Sequence, residues 1–434
     1  MIPAPSPRLS GTIWFSLATV VALALWVTLW KSHYRPPSQD FTYEATSSSR
    51  WPQILPFTVP GVPGPAFFDL QVILYGTELS AAGLDPYQTA PAVDRPYFYN
   101  YPSVWLQLHR VGASLHWVRP LGLALAAAYL IVLLMATAPR DALTAICVIG
   151  LMIAPPSLCT LAMANNEIII FLLLASAGVV WSRTWAGGWP ALFLIAVAGV
   201  LKLYPACALA AFLDGRRRVF FAVITATAAL ALFFAANVSE LASISRLTPR
   251  PHALSIGSQV LASRALDGAS RQPVLASFIA TNGGVKFWSL ALVAVSALAT
   301  VAIVAVALYR GWRDAGRSRE FPLESLRFRT LFRLVALLYL GFFAIGHNWM
   351  QREFILILAV PWLLSRAETR PMVGLILAIG WFGGFPIGPI FLLVQGCTWA
   401  LAATFAYWLA RSLAPDIRRT LSQFHPHSDA TTPV

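Results

Sequence analysis

The chain has 434 residues, 58% of them hydrophobic and only 11% charged, with a mean hydropathy of +0.67 and a formal net charge of +13. A water-facing surface needs about twice that charge density, so an ordinary soluble domain is excluded and an all-α polytopic membrane protein is expected. The basic excess does not point to nucleic acid, because no polar domain is present to carry such a patch. It fits cytoplasmic loops and contact with anionic membrane lipids.

The first apolar stretch runs over about eighteen residues from Ile13 to Trp30 and ends in bulky side chains rather than in a small-residue cleavage site. It reads as a retained helix with a tryptophan at the interface. Further apolar runs fall near 120–137, 142–160, 166–182, 219–237, 286–309, 330–346, 353–366, 371–385 and 388–410, so about ten transmembrane helices are expected. The stretch 188–213 is also apolar, but Lys202 and Pro205 interrupt it. A single crossing there would set Arg216, Arg217 and Arg218 on the side opposite Arg183. A broken, re-entrant pair of half-helices instead gathers the Arg-rich loops 138–141, 183–187, 214–218, 310–329 and 366–370 on one face, the cytoplasmic one. Residues 1–411 then form a single membrane domain, and 412–434 read as a disordered cytoplasmic tail.

With that orientation the loops 31–119 and 238–285 and the turns 161–165 and 347–352 share the outer face. Loop 31–119 is too long for a passive connector. Phe68, Val72, Leu74, Tyr75 and Leu79 follow the spacing of a short amphipathic helix, and Val104 to Val118 make a second candidate. Helices of this kind lie in the membrane interface, where a lipid headgroup is reached.

The polar residues of that face are few. Asp69 stands alone in Phe67-Phe68-Asp69-Leu70. Asp85-Pro86-Tyr87 is both a second acid and an ordinary turn signal. Tyr87, Tyr99 and Tyr101 offer faces to a sugar ring or sit in an interfacial aromatic belt. Asn165, Asn166 and Glu167 open a helix, as sugar ligands or as its N-cap. Lys202 is a cation inside an apolar segment, placed either to bind a phosphate or to neutralise a buried acid. Arg352, with His347 near it, offers a guanidinium to a phosphate, or pairs with Glu353 or snorkels to headgroups. The four cysteines lie in apolar runs and read as packing residues. No phosphate-binding glycine loop, zinc spacing or Asp-x-Asp pair is present, so neither a metal nor another cofactor is expected from the motifs, although Asp69 and Glu167 are acids that a fold can bring together.

In order along the chain, Phe68-Asp69 with Tyr75, Gly83-Leu84-Asp85-Pro86-Tyr87, Phe98-Tyr99-Asn100-Tyr101-Pro102-Ser103, Ala164-Asn165-Asn166-Glu167, Gly199-Val200-Leu201-Lys202-Leu203-Tyr204-Pro205 and His347 to Phe354 resemble the polyprenyl-phosphate-mannose-dependent alpha-mannosyltransferase family. These are integral membrane glycosyltransferases of the C-type fold. The likeness covers roughly 65–365. It departs from the family's Tyr-Pro-Pro at Ser103, where the second proline is missing.

The resemblance implies transfer of a hexose, mannose by preference, from a polyprenyl-phosphate donor to a lipid or glycan acceptor, and with the loop charges it sets the reaction at the outer face; the absence of organelle signals and the high Ala, Trp and Arg content fit a bacterial inner membrane. Asp69 would be the general base, and one carboxylate suffices for a single displacement with inversion because phosphate is a good leaving group. Arg352 and Lys202 would stabilise that phosphate; Asp85, Tyr87, Tyr101, Asn165, Asn166, Glu167 and His347 would line the substrate site. The competing expectation is a lipid-linked sugar flippase or another transporter, since a broken segment with an intramembrane lysine is a transporter device.

Overall fold

The computed structural model describes residues 7–33, 67–89, 99–183, 188–248, 255–316, 326–345, 348–383 and 388–424. In chain order the first α-helices are α1 (Pro7–His33), α2 (Phe68–Ala81), α3 (Val118–Thr137), α4 (Ala142–Met152), α5 (Pro155–Met163), α6 (Glu167–Arg183), α7 (Trp189–Leu201) and α8 (Arg217–Ala236). They continue with α9 (Val238–Leu247), α10 (Val260–Ser270), α11 (Pro273–Thr281), α12 (Gly284–Ala315), α13 (Leu326–Ile345), α14 (Val360–Leu364), α15 (Arg370–Phe382) and α16 (Gly388–Ser422). Among the described residues the departure from helix and turn is a strand pair, β1 (Ser255–Ile256) antiparallel to β2 (Asn348–Trp349).

Among the described residues five helices are long and apolar enough to cross a bilayer: Gly11–Lys31, Leu115–Thr137, Arg217–Ala236, Gly284–Ala315 and Gly388–Ser422. The pair α4 and α5, bent by 51°, makes a sixth if it is one span. On α12 the outward residues, among them Leu290, Leu298 and Val301, are apolar and exposed, as a hydrocarbon solvent requires.

The other expected spans take different forms. Run 166–182 is a shorter apolar helix, and α13 carries Arg327, Arg329 and Arg333. Run 353–366 is a 3-10 stretch, Met350–Ala359, ending in the single turn of α14 with Pro361 near its start, and 371–385 is the 13-residue α15. Residues from Phe354 to Leu363 are buried by protein. An apolar run covered by neighbouring helices has the same hydropathy as one facing lipid, which is why a count of runs exceeds the count of long helices.

Two further expectations are corrected. The first amphipathic candidate, α2, has no exposed residue from Phe68 to Ser80 and so no polar outer stripe, whereas the second is 3-10 helix at Ser103–Val111 and Leu115–Trp117, with Trp105 and Leu106 buried and Gln107 and Arg110 exposed, and α-helix begins only at Val118. The chain beyond 411 is helical as far as Ser422, with Ser412, Leu413, Asp416 and Thr420 buried, so disorder does not start at 412. Burial of Asp416 against Arg333 at 2.7 Å holds that end of α16 down.

The segment 188–213 is broken where Lys202 and Pro205 stand. Helix α7 ends at Leu201, Lys202 is extended (φ −159°, ψ 123°), and a 3-10 helix Tyr204–Phe212 returns. Both outer ends lie against Trp181 near the end of α6: Phe212 at 4.8 Å between ring centroids, and Gly188 so close that a Cβ would collide with the indole. The tip of this hairpin meets Glu167 at the other end of α6, about 25 Å away along a 17-residue helix.

Candidate functional site

Helix α2 starts from Phe67, a bulky residue in left-handed backbone (φ 58°) with a fully buried ring. Such a conformation costs about 1–3 kcal/mol and persists where the surroundings impose it. Here the Phe67 amide donates to Ala162 O (2.9 Å) and its ring fills the space over Gly122, where any Cβ would clash. This anchors the first turn of α2 and with it Asp69, a placement the positive end of the helix favours for an anion. Ala164, also left-handed (φ 43°), ends α5 in the same small apolar cluster and turns the chain into Asn165.

Five separate segments meet there. Asn165 Nδ2 donates to Asp69 Oδ2 (2.5 Å) and to Gln351 Oε1 (2.7 Å), while its Oδ1 accepts from the Glu167 amide (2.8 Å) and so caps α6. Gln351 is held in turn by Met163 Sδ (2.9 Å). Tyr101 contributes its phenol to Asp69. Glu167 accepts from Lys202 Nζ (2.6 Å), Arg352 Nε (3.0 Å) and the Tyr204 hydroxyl, and Lys202 also donates to Asn166 Oδ1 (2.8 Å). Arg352 lies over the Tyr204 ring at 4.8 Å.

The charges are graded in depth. Glu167 is 2% exposed, whereas Lys202 and Arg352 keep 18% and 19% of their side-chain surface, so the cations are the more accessible members of the group. Two cations share this one carboxylate, which leaves a net positive charge beside Asp69 for an incoming anion. Burial raises the Asp69 carboxyl to about 6; the Asn165 hydrogen bond and the Lys202 charge pull it back, and Glu167 pushes it up. Burial and the neighbouring Asp69 charge hold Tyr101 well above the usual phenol range, so it stays a donor.

Of the expected site residues, Asp69, Tyr101, Asn165, Asn166, Glu167, Lys202 and Arg352 come together. Asp85 does not: it is exposed, accepting from the Tyr87 amide (2.9 Å) and Gln88 Nε2 (2.7 Å), and serves as the turn former. Tyr87 is a support, its hydroxyl donating to Tyr101 O (2.8 Å). His347 lies outside the described residues. The option that Arg352 pairs with Glu353 is corrected, since Arg352 turns to Glu167, and Glu353 is buried with no hydrogen bond among the described residues. Asn165 is both an N-cap and an Asp69 ligand, so the two readings of that residue are not exclusive. Among the described residues no group of three or more His, Cys, Asp and Glu side chains is arranged to hold a metal ion.

Sequence reasoning assigned no role to Gln351, Tyr204, Ser103 or Glu240. The first two sit inside the runs around Arg352 and Lys202, where their spacing was a usable signal. Glu240, on α9, accepts from the Ser103 amide (2.6 Å), Ser103 Oγ (2.8 Å) and Tyr87 (3.3 Å), joining the segment after α8 to the one before α3. Nothing local announces a contact across 137 residues. A proline in place of Ser103 would lack the amide that Glu240 receives. Comparison with protein-family models, with curated proteins and with solved structures finds no match to this chain.

Proposed function

We propose that the protein is a membrane glycosyltransferase of the C-type fold that transfers a hexose, mannose by preference, from a polyprenyl-phosphate donor to a lipid or glycan acceptor at the outer face of a bacterial inner membrane. The observation that carries this reading is the pairing of a half-buried carboxyl, Asp69, with two partly exposed cations, Lys202 and Arg352, in one polar nest built from five segments. The acceptor hydroxyl oxygen attacks the anomeric carbon and its proton passes to the Asp69 carboxylate. The bond from the anomeric carbon to the phosphate oxygen breaks with its electron pair going to the polyprenyl phosphate, whose charge Lys202 and Arg352 offset. One displacement inverts the anomeric centre. In this reading the hairpin 188–213 is a re-entrant element that delivers Lys202 to the outer face, and the shorter helical segments complete about ten crossings.

The test is hexose transfer from radiolabelled polyprenyl-phosphate-mannose to membrane lipid extracts by purified protein in nanodiscs. Wild type is expected to transfer, and Asp69→Asn to lose about 10² or more of the rate while still binding donor. Transfer unchanged in Asp69→Asn removes Asp69 as base. A second reading, a flippase for lipid-linked sugars, is favoured by the bent pair α4–α5, a second broken segment beside the hairpin. Movement of labelled lipid between leaflets without transfer would establish it.

A further inference from the structure

At the end of the molecule away from Asp69 lies a cavity of about 730 Å³. Its walls come from the far ends of helices that start at the site. Thr137 closes α3, whose first residue packs beside Phe67, and Ser182 lies at the far end of α6, which begins at Glu167. Arg140, Arg327 and Arg370 line the cavity, against one carboxylate, Asp141. That carboxylate is already committed as the cap of α4: Oδ1 accepts from the Thr144 amide (2.8 Å) and Oδ2 from the Thr144 hydroxyl (2.7 Å). The remaining wall mixes apolar side chains, Leu143, Phe328 and Leu364 among them, with the hydroxyl residues Thr137, Thr144, Ser182 and Ser365.

Three guanidinium groups around a recess with a partly apolar wall match a phosphate joined to hydrocarbon. Arginines that only mark a cytoplasmic surface have no need to converge on a cavity. We propose that this cavity binds the phosphate group of an anionic membrane lipid, with Arg140, Arg327 and Arg370 as its ligands and the first methylenes of the lipid against Phe328 and Leu364. The inference is independent of the transfer chemistry at Asp69.

The test is native mass spectrometry of the full chain released from nanodiscs of equal phosphatidylglycerol and phosphatidylcholine. Wild type is compared with Arg140→Gln/Arg327→Gln/Arg370→Gln and with a control of equal charge change, Arg217→Gln/Arg310→Gln/Arg313→Gln. Phosphatidylglycerol retention about tenfold lower in the cavity variant, with the control like wild type, supports the site. Equal retention in all three, or equal loss in both variants, overturns it. Binding of millimolar inorganic phosphate with the same arginine dependence, without lipid retention, overturns the lipid assignment in favour of a soluble phosphate compound. If the triple variant does not fold, the single changes Arg140→Gln and Arg370→Gln at exposed positions decide the matter: retention lowered by each supports the site, and retention unchanged by both overturns it.

Discussion

Asp69 carries a carboxyl whose ionisation is set by opposing neighbours: burial and Glu167 favour the neutral acid, Asn165, Lys202 and Tyr101 the carboxylate. A base works only when ionised, so kcat/KM is expected to fall on the acid side with a midpoint of about 6. Asn165→Ser keeps a capping oxygen for α6 but removes the amide donor to Asp69, and the acid limb should move to higher pH; an unmoved limb would show that Asn165 does not tune the base. The sign for stability follows from linkage. Folding raises the Asp69 pKa from 3.8 to about 6, so its contribution is fully present below the lower value and lost as pH rises through the upper one. The unfolding temperature of Asp69→Asn should therefore gain on wild type between those two pH values. Glu167 is the opposite case, a carboxylate with three donors and almost no exposure. Glu167→Ala leaves Lys202 and Arg352 without it in a poorly solvated place and is expected to cost about 3–5 kcal/mol, read from thermal unfolding in detergent.

Among the elements, the hairpin 188–213 shows why a short apolar stretch should not be equated with a crossing. Lys202 in extended backbone ends α7, and both arms return to Trp181, so the tip is free to bring a cation to Glu167. Helix α9 is tied to the 3-10 stretch before α3 by the contact of Glu240 with Ser103. Ser103→Pro removes both the amide and the hydroxyl that Glu240 accepts from, and the buried part of the carboxylate is then left mainly with Tyr87. A loss of about 1–3 kcal/mol is expected locally, seen as faster proteolysis of 238–285 with α16 still protected. Protection unchanged in that loop would show the latch to be idle. Gly76 belongs to the same support. A Cβ there would collide with the Tyr99 ring, so Gly76→Ala must displace the aromatic run that presents Tyr101.

At the scale of the whole molecule a second set of charges stands apart from the site. Arg140, Arg327 and Arg370 line a cavity apart from Asp69, while the site draws its groups from α2, the aromatic run at Tyr101, the turn into α6, the hairpin tip and the 3-10 stretch that holds Gln351 and Arg352. One buried pair, Arg333 with Asp416, joins α13 to α16, with Arg333 also donating to Leu213 O at the end of the hairpin (2.9 Å). Asp416→Ala is expected to lower stability by about 3–5 kcal/mol, whereas Arg333→Met with Asp416→Leu should recover most of it, because an apolar pair avoids the cost of a lone buried charge. A double change as damaging as the single one would show that the pair's hydrogen bonds, and not its charge balance, hold the end of α16.

Composition and hydropathy alone determined that the chain is a helical membrane protein, since burying so many apolar groups without charge is a property of the sum and not of their arrangement. Asp69, Asn165, Lys202 and Arg352 were likewise legible one by one, because a polar group in an apolar run is costly and therefore conspicuous. Their partners were not. That Lys202 and Arg352 share Glu167, that Asn165 reaches Asp69, and that Glu240 holds Ser103 depend on side chains far apart in sequence meeting across helices. The number of long helices escaped the sequence for a related reason. Runs such as 353–366 are buried by protein and are apolar on that account, and only the packing shows which solvent, lipid or the protein's own core, each apolar surface faces.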